Sequence, residues 1–152
     1  MKENKEILFL ENQLCFPLYA TSRLTTKVYG PYLKELDLTY PQYLVLMVLW
    51  EEDGLSVNRI SKRLHLETNT LTPLLKRLES KGLISRERSK ADERSVEIKL
   101  QKAGWDIQVK ALKIPAKIIS TFQGADISVE ELKQFQKTLF RLLNSMEAQM
   151  DS

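Results

Sequence analysis

The feature that most constrains the fold is a change of hydrophobic period in the middle of the chain. Leu71, Leu74, Leu75 and Leu78 recur at i, i+3, i+4 and i+7, the stripe of a helix with one buried face. Gly82 follows as a stop. Beyond it the period falls to two: Val96, Ile98 and Leu100 alternate with Glu97 and Lys99, a half-buried strand. Leu83 to Arg88 reads as its partner, and the polar stretch Ser89–Arg94 as the hairpin tip.

Upstream, Ser56 is placed to cap a short helix carrying Val57, Ile60 and Leu64, and His65-Leu66-Glu67 reads as the turn into the next helix. That next helix is expected from Thr68 to about Lys81, with its cap within Thr68–Thr70 and Pro73 in or beside its first turn. Thr39 and Gln42 have the spacing of a capping box, with Pro41 in the first turn of a nearly all-apolar helix from Tyr40 to about Glu51. A first helix is expected over about Glu6–Leu36, with a kink or break at Gly30-Pro31. Two C-terminal helices are expected, one over about Lys102–Thr121. The other follows Gln123-Gly124-Ala125, opens on the capping box of Ser128 and Glu131, and carries Leu132, Phe135, Leu139, Leu142 and Met146 along one side. The expected fold class is therefore mainly α with a small β-hairpin wing, an α+β winged helix-turn-helix in one 152-residue domain. Its DNA-binding lobe spans about 39–100, between helices over about 6–36 and 102–150.

Charge supports a nucleic-acid partner. The chain carries a net +3, but Ser56–Leu100 alone holds 11 Lys/Arg against 6 Asp/Glu and the remainder is net negative. A recognition helix must bury one face and show the other to bases in a major groove about 12 Å wide. Thr68, Asn69, Thr70 and Thr72 are short donors and acceptors at its start, and Lys76 and Arg77 follow for phosphates. Arg86 on the first wing strand and Lys90, Asp92 and Arg94 at the wing tip complete the candidate DNA-binding set. The alternative for such a segment is an amphipathic surface helix beside a solvated ribbon. No apolar run reaches the roughly 20 residues of a membrane span. The N-terminus lacks the pattern of a secretory signal, so a cytoplasmic protein without membrane contact is expected.

The single cysteine, Cys15, lies between Leu14 and Phe16. The plain reading is a small buried hydrophobe. The reactive reading needs hydrogen-bond donors on a thiolate. Tyr19, one helical turn on, offers a hydroxyl.

ENQLCFPLYA (Glu11–Ala20), LTYPQYLVLMVLWE (Leu38–Glu51) and LTPLLKRLESKGLISRERSKADERSVEIKLQKAG (Leu71–Gly104) resemble the MarR family, and within it the organic hydroperoxide-responsive repressors. The resemblance is strong over roughly Leu10–Gly104 and holds only in pattern beyond. It implies a homodimer joined through the first and last two helices, a palindromic operator, and repression released by oxidation. It implies that Arg94 enters the minor groove with Asp92 orienting it, and that Tyr29 and Tyr40 donate to the sulfur of Cys15 from the other subunit. One departure touches the DNA sequence read: the subclass usually opens its recognition helix with Asp-Ser-Gly, and here Glu67, Thr68 and Asn69 stand there.

Spacing agrees with a two-chain site. Tyr29 lies 14 residues after Cys15, about 21 Å along a continuous helix, so a same-chain contact needs the helix to fold back. The expected signal reactants are an organic hydroperoxide and a small thiol. No cofactor is expected, and no metal, because one Cys and one His 50 residues apart have no ligand spacing. Three other readings stay open: a MarR-type regulator answering a small aromatic ligand with Cys15 in the core, a thiol peroxidase, and a non-specific architectural protein. A peroxidase lacks a second, resolving cysteine here, and the lone His65 falls in the inter-helix turn, so no enzyme is expected.

Overall fold

The computed structural model describes residues 5–89, 95–122 and 127–150. The chain divides into two compact units, Met1–Ile114 and Pro115–Ser152.

The first unit opens with two short 3-10 turns, Lys5–Leu8 and Leu10–Asn12, before helix α1, Cys15–Lys34. The continuous helix expected from Glu6 does not form, and Pro17 supplies the reason. Its ring lacks an N–H and clashes with the carbonyl four residues back, so a first turn accommodates it at least cost. Starting α1 at Cys15 places it there. The segment before it is held by side chains: Gln13 Nε2 donates to the Phe9 carbonyl at 3.2 Å and Asn12 Nδ2 to the Glu6 carbonyl at 2.7 Å. At the other end α1 runs through Gly30-Pro31 without a break and reaches Lys34.

Helix α2, Tyr40–Glu51, starts on the anticipated capping box: Gln42 N–H donates to Thr39 Oγ1 and Thr39 N–H donates to Gln42 Oε1. Strand β1, Leu55–Ser56, leads directly into helix α3, Val57–Leu64, and Ser56 Oγ accepts from Arg59 N–H. Strand β1 was not anticipated. Two residues are too few to show a period, and their pairing partners lie 43 and 41 residues on, Leu55 with Ile98 and Ser56 with Glu97.

The turn after α3 places His65 at φ 51°, left-handed. Helix α4 covers Thr68–Ser80. Its N-cap is Glu67, one residue before the expected window, because the Glu67 carbonyl already accepts from Thr70 and Leu71 N–H. Pro73 consequently lies inside α4 rather than in its first turn. Gly82, at φ 68°, ends the helix with its N–H on the Glu79 carbonyl, while Leu83 N–H reaches back to Leu78. That reversal needs a left-handed residue, which glycine adopts without a Cβ penalty.

Strands β2, Ile84–Arg88, and β3, Val96–Leu100, pair antiparallel, with Ile84 opposite Leu100 and Arg86 opposite Ile98. The sheet has three strands in the order β1-β3-β2. The lobe's core is Val45, Leu46, Leu49, Leu55, Ile60, Leu71, Leu75, Leu78, Ile84 and Ile98, all buried.

The helix expected over Lys102–Thr121 is two: α5, Lys102–Ala111, and α6, Ile114–Phe122. Pro115 is again the cause, since it cannot donate to the Ala111 carbonyl and would strike it. In the second unit, α7 spans Val129–Met150 and opens on the expected capping box, with Glu131 N–H on Ser128 Oγ and Ser128 N–H on Glu131 Oε2. Its apolar stripe is open to solvent in the single chain, as at Phe135 and Met146. The expected separator Gln123-Gly124-Ala125 lies outside the described residues.

Candidate nucleic-acid interface and the cysteine site

Helix α3, the tight turn and α4 form the helix-turn-helix, and the β2–β3 ribbon follows it. Leu71, Leu75 and Leu78 hold α4 by one face. The opposite face is therefore free to meet DNA. Thr68, Asn69 and Thr70 are exposed at its start. Thr70 Oγ1 donates to Asn69 Oδ1 at 3.2 Å, which leaves the Asn69 amide N–H₂ pointing elsewhere. Thr72 is half-buried, and its hydroxyl donates to the Thr68 carbonyl at 2.7 Å, so it supports the first turn as well as lining it. Lys76 and Arg77 are exposed further along. Lys90, Asp92 and Arg94 lie outside the described residues.

Arg86 differs from the others. Strand alternation puts it on the same sheet face as buried Ile84, turned inward. Its side chain is 25% exposed and ion-paired with Glu79 of α4 at 3.7 Å. The sequence reading passed over Arg88, two residues on, which shares that face at the outer end of β2 and is exposed. On α3, Arg59 pairs with Glu52 at 2.9 Å and Arg63 with Glu51, so these cations tie α3 to the end of α2.

Cys15 is exposed at the first position of α1, not within a helix face as the longer helix had implied. The N–H groups of a first helical turn have no intrahelical acceptors and stabilise an adjacent anion. Leu14, Phe16, Leu8 and Leu10 around this end are also exposed. Tyr19 is one turn on, and its hydroxyl oxygen accepts from Arg23 Nη1 at 2.9 Å. The guanidinium lies 5.7 Å from the Tyr19 ring centre. Sequence reading missed Arg23, although the i, i+4 spacing from Tyr19 was available to find it.

Tyr29 and Tyr40 come together, but away from Cys15 of the same chain. Their ring centres are 4.8 Å apart where α1 crosses α2. Tyr43 joins them at 6.1 Å from Tyr29, and Trp50 continues the stack at 6.0 Å from Tyr43. Burial, then the neighbouring Tyr40 and Tyr43, pushes the Tyr29 hydroxyl up to about 12. Burial likewise raises Tyr40, and burial together with Tyr40 raises Tyr43. These phenols therefore keep their protons at neutral pH and act as donors. Because α1 is unbroken from Cys15 to Lys34, the separation of about 21 Å along its axis stands.

Among the described residues no cluster of three or more His, Cys, Asp or Glu is arranged to hold a metal ion, and no helix is long and apolar enough to cross a membrane.

A helix-turn-helix followed by an antiparallel ribbon defines a winged-helix DNA-binding protein. The SarA/Rot transcriptional regulators match residues 27–109. The organic hydroperoxide resistance transcriptional regulator of Bacillus subtilis (strain 168) is 48% identical over 95% of this chain and 97% of its own length. Reduced AbfR bound to DNA is 42% identical, with a TM-score of 0.67 over 86% of this chain and 95% of that one. AbfR of Staphylococcus epidermidis on its own gives 35% identity and a TM-score of 0.75 over 95% and 96% of the two chains. MarR is 25% identical, with a TM-score of 0.76 over 90% and 92%. The chain belongs to the MarR/SarA family of transcriptional regulators: it is a DNA-binding regulator, not an enzyme.

Proposed function

We propose that this regulator is a homodimer that represses peroxide-resistance genes from a palindromic operator and leaves the DNA when Cys15 is oxidised by an organic hydroperoxide. The observation that carries the reading is the placement of donors and sulfur at opposite ends of one unbroken helix. An antiparallel second copy would lay its Tyr29–Tyr40 pair against Cys15 and cover the apolar residues exposed there and along α7. Names among the relatives support it. One is called an organic hydroperoxide resistance regulator, and AbfR has been solved reduced on DNA, overoxidised on DNA, and with a disulfide formed.

The thiolate attacks the distal peroxide oxygen, the O–O bond breaks, and an alcohol leaves with one proton, giving sulfenic acid on Cys15. A small thiol then condenses with the sulfenic acid, forming a mixed disulfide and releasing water. Neutral tyrosine hydroxyls hold the thiolate before reaction, and an adduct in their place separates the two chains locally. In the DNA-competent state the two α4 helices sit about 34 Å apart, one turn of DNA.

The test is a binding isotherm of reduced protein on DNA from just upstream of its own gene, repeated after one equivalent of cumene hydroperoxide with a small thiol present. Binding is expected to be tight and then lost, and Cys15→Ser is expected to bind and ignore peroxide. Release of the Cys15→Ser variant by peroxide would place the sensor elsewhere. Wild-type binding that survives oxidation would return Cys15 to a packing role.

A further inference from the structure

We propose that Arg86 does not contact DNA but is a positioning residue: together with Glu79 it fixes the pitch of the β2–β3 ribbon against the recognition helix α4. The inference rests on the chain being a DNA-binding winged helix and is independent of the redox reading.

The outer part of the ribbon is otherwise lightly tied. Only Lys81, Gly82 and Leu83 connect α4 to β2, and Gly82 is in the left-handed conformation that leaves the reversal free of side-chain bulk. The last fully buried side chain on the inner face of β2 is Ile84. From there the strand leaves the core, with Arg86 half-covered and Arg88 exposed. Strand β1 supports β3 only at Glu97 and Ile98. Outward of Glu97 the sheet is two-stranded, and a two-stranded ribbon is marginal without a further anchor.

Arg86 supplies that anchor. It is opposite buried Ile98, so its stem lies over the end of the core. Its Nη1 faces Glu79 Oε2, on the last turn of α4. Its Nε is buried and has no acceptor among the described residues. A guanidinium three-quarters covered loses its compensating charge if the carboxylate is removed, and conformations closer to water then become favoured. Without Glu79, Arg86 swings toward water and the ribbon swings with it.

This makes a prediction of unusual sign. Removing an acidic residue from a DNA-binding face ordinarily strengthens binding, since it lifts repulsion from phosphates. If Arg86 touched a phosphate, neutralising Glu79 would also release it to do so. The positioning role requires the reverse.

The experiment uses the full-length reduced protein on a duplex that the wild type selects from a random pool, so no operator need be known beforehand. Affinity and hydroxyl-radical footprints are measured for Glu79→Gln, Arg86→Met and the exchanged pair Glu79→Arg/Arg86→Glu, with thermal unfolding alongside. Glu79→Gln and Arg86→Met are expected to weaken binding at least about fivefold. Protection should disappear at the outer flanks reached by the ribbon, persist in the major groove read by α4, and return in the exchanged pair. Glu79→Gln binding equal to or tighter than wild type would overturn the proposal. So would uniform loss of protection in step with a lowered melting temperature, which marks a general loss of fold.

Discussion

Gly104→Ala is the sharpest probe of how the lobe is closed. A Cβ built on Gly104 would sit 2.2 Å from the Leu83 carbonyl oxygen and 2.9 Å from Leu100 Cδ2. The leucine can turn, but the carbonyl is backbone and is already held by Gln101 N–H at 2.9 Å. Relief therefore requires α5 to move away by about 1 Å in a close-packed region, at a cost of about 1–3 kcal/mol. The same displacement stretches the 3.0 Å bond from Trp50 Nε1 to the Gly104 carbonyl, a loss of about 1 kcal/mol. Against this, alanine gains about 0.5–1 kcal/mol over glycine inside a helix. The net is a destabilisation of about 2 kcal/mol, or about 4–8 °C in melting temperature for a chain of this size. The assay is thermal unfolding at matched protein concentration, because any self-association makes a melting point depend on it. Trp50 fluorescence in a Trp105→Phe background reports the indole bond locally. A Gly104→Ala protein that melts at or above the parent would refute the claim that this glycine is there for space.

Two further outcomes follow from the tyrosines. Tyr29 is raised from 10.0 to about 12, so the folded chain holds a proton that the unfolded chain has lost across that interval. Its contribution to stability is complete below about pH 10 and fades as pH climbs toward 12; an ultraviolet titration should lose its highest tyrosinate step in Tyr29→Phe, and an unchanged titration would show the burial to be wrong. Mixed dimers of a Cys15→Ser chain with a Tyr29→Phe chain contain one complete site only if sulfur and phenol come from different chains. They should oxidise at near the wild-type rate per remaining cysteine, and oxidation as slow as in the Tyr29→Phe homodimer would refute the two-chain site.

Much of the fold was legible because its signals are local. Both capping boxes, the leucine stripe of α4 and the glycine stop involve residues within one or two turns of each other, and periodicity separates α4 from β3 without tertiary knowledge. The misplaced starts of α1 and α6 share one chemical cause. Pro17, Pro73 and Pro115 each lack a donor, and the prolines decide where α1 and α6 begin and what α4 must accommodate. Pro31 shows the converse, since helix α1 passes through it. Strand β1 and the Tyr29–Tyr43 contact were not legible, because both depend on segments far apart in sequence meeting at an angle. Arg86 falls between: the period-two pattern already turned it inward beside Ile84, and only its basic character suggested DNA.

The distribution of burial bears on how a signal at Cys15 would act. The winged-helix lobe has a dry core in which Leu46, Leu49, Ile60, Leu71, Leu75, Leu78 and Ile98 are completely buried. Cores at that density resist gradual deformation, so α4 and the buried base of the sheet move as one body. Around Cys15 the chain buries nothing, and α7 also has no buried residue. In the proposed homodimer, free energy to oppose DNA binding is therefore available where chains meet, not within the lobe. On the proposed reading, oxidation leaves each recognition helix intact and changes the distance between the two. An oxidised protein should then keep the thermal stability of its lobe and its weak affinity for a single half-site, while losing the large gain in affinity that two correctly spaced half-sites confer.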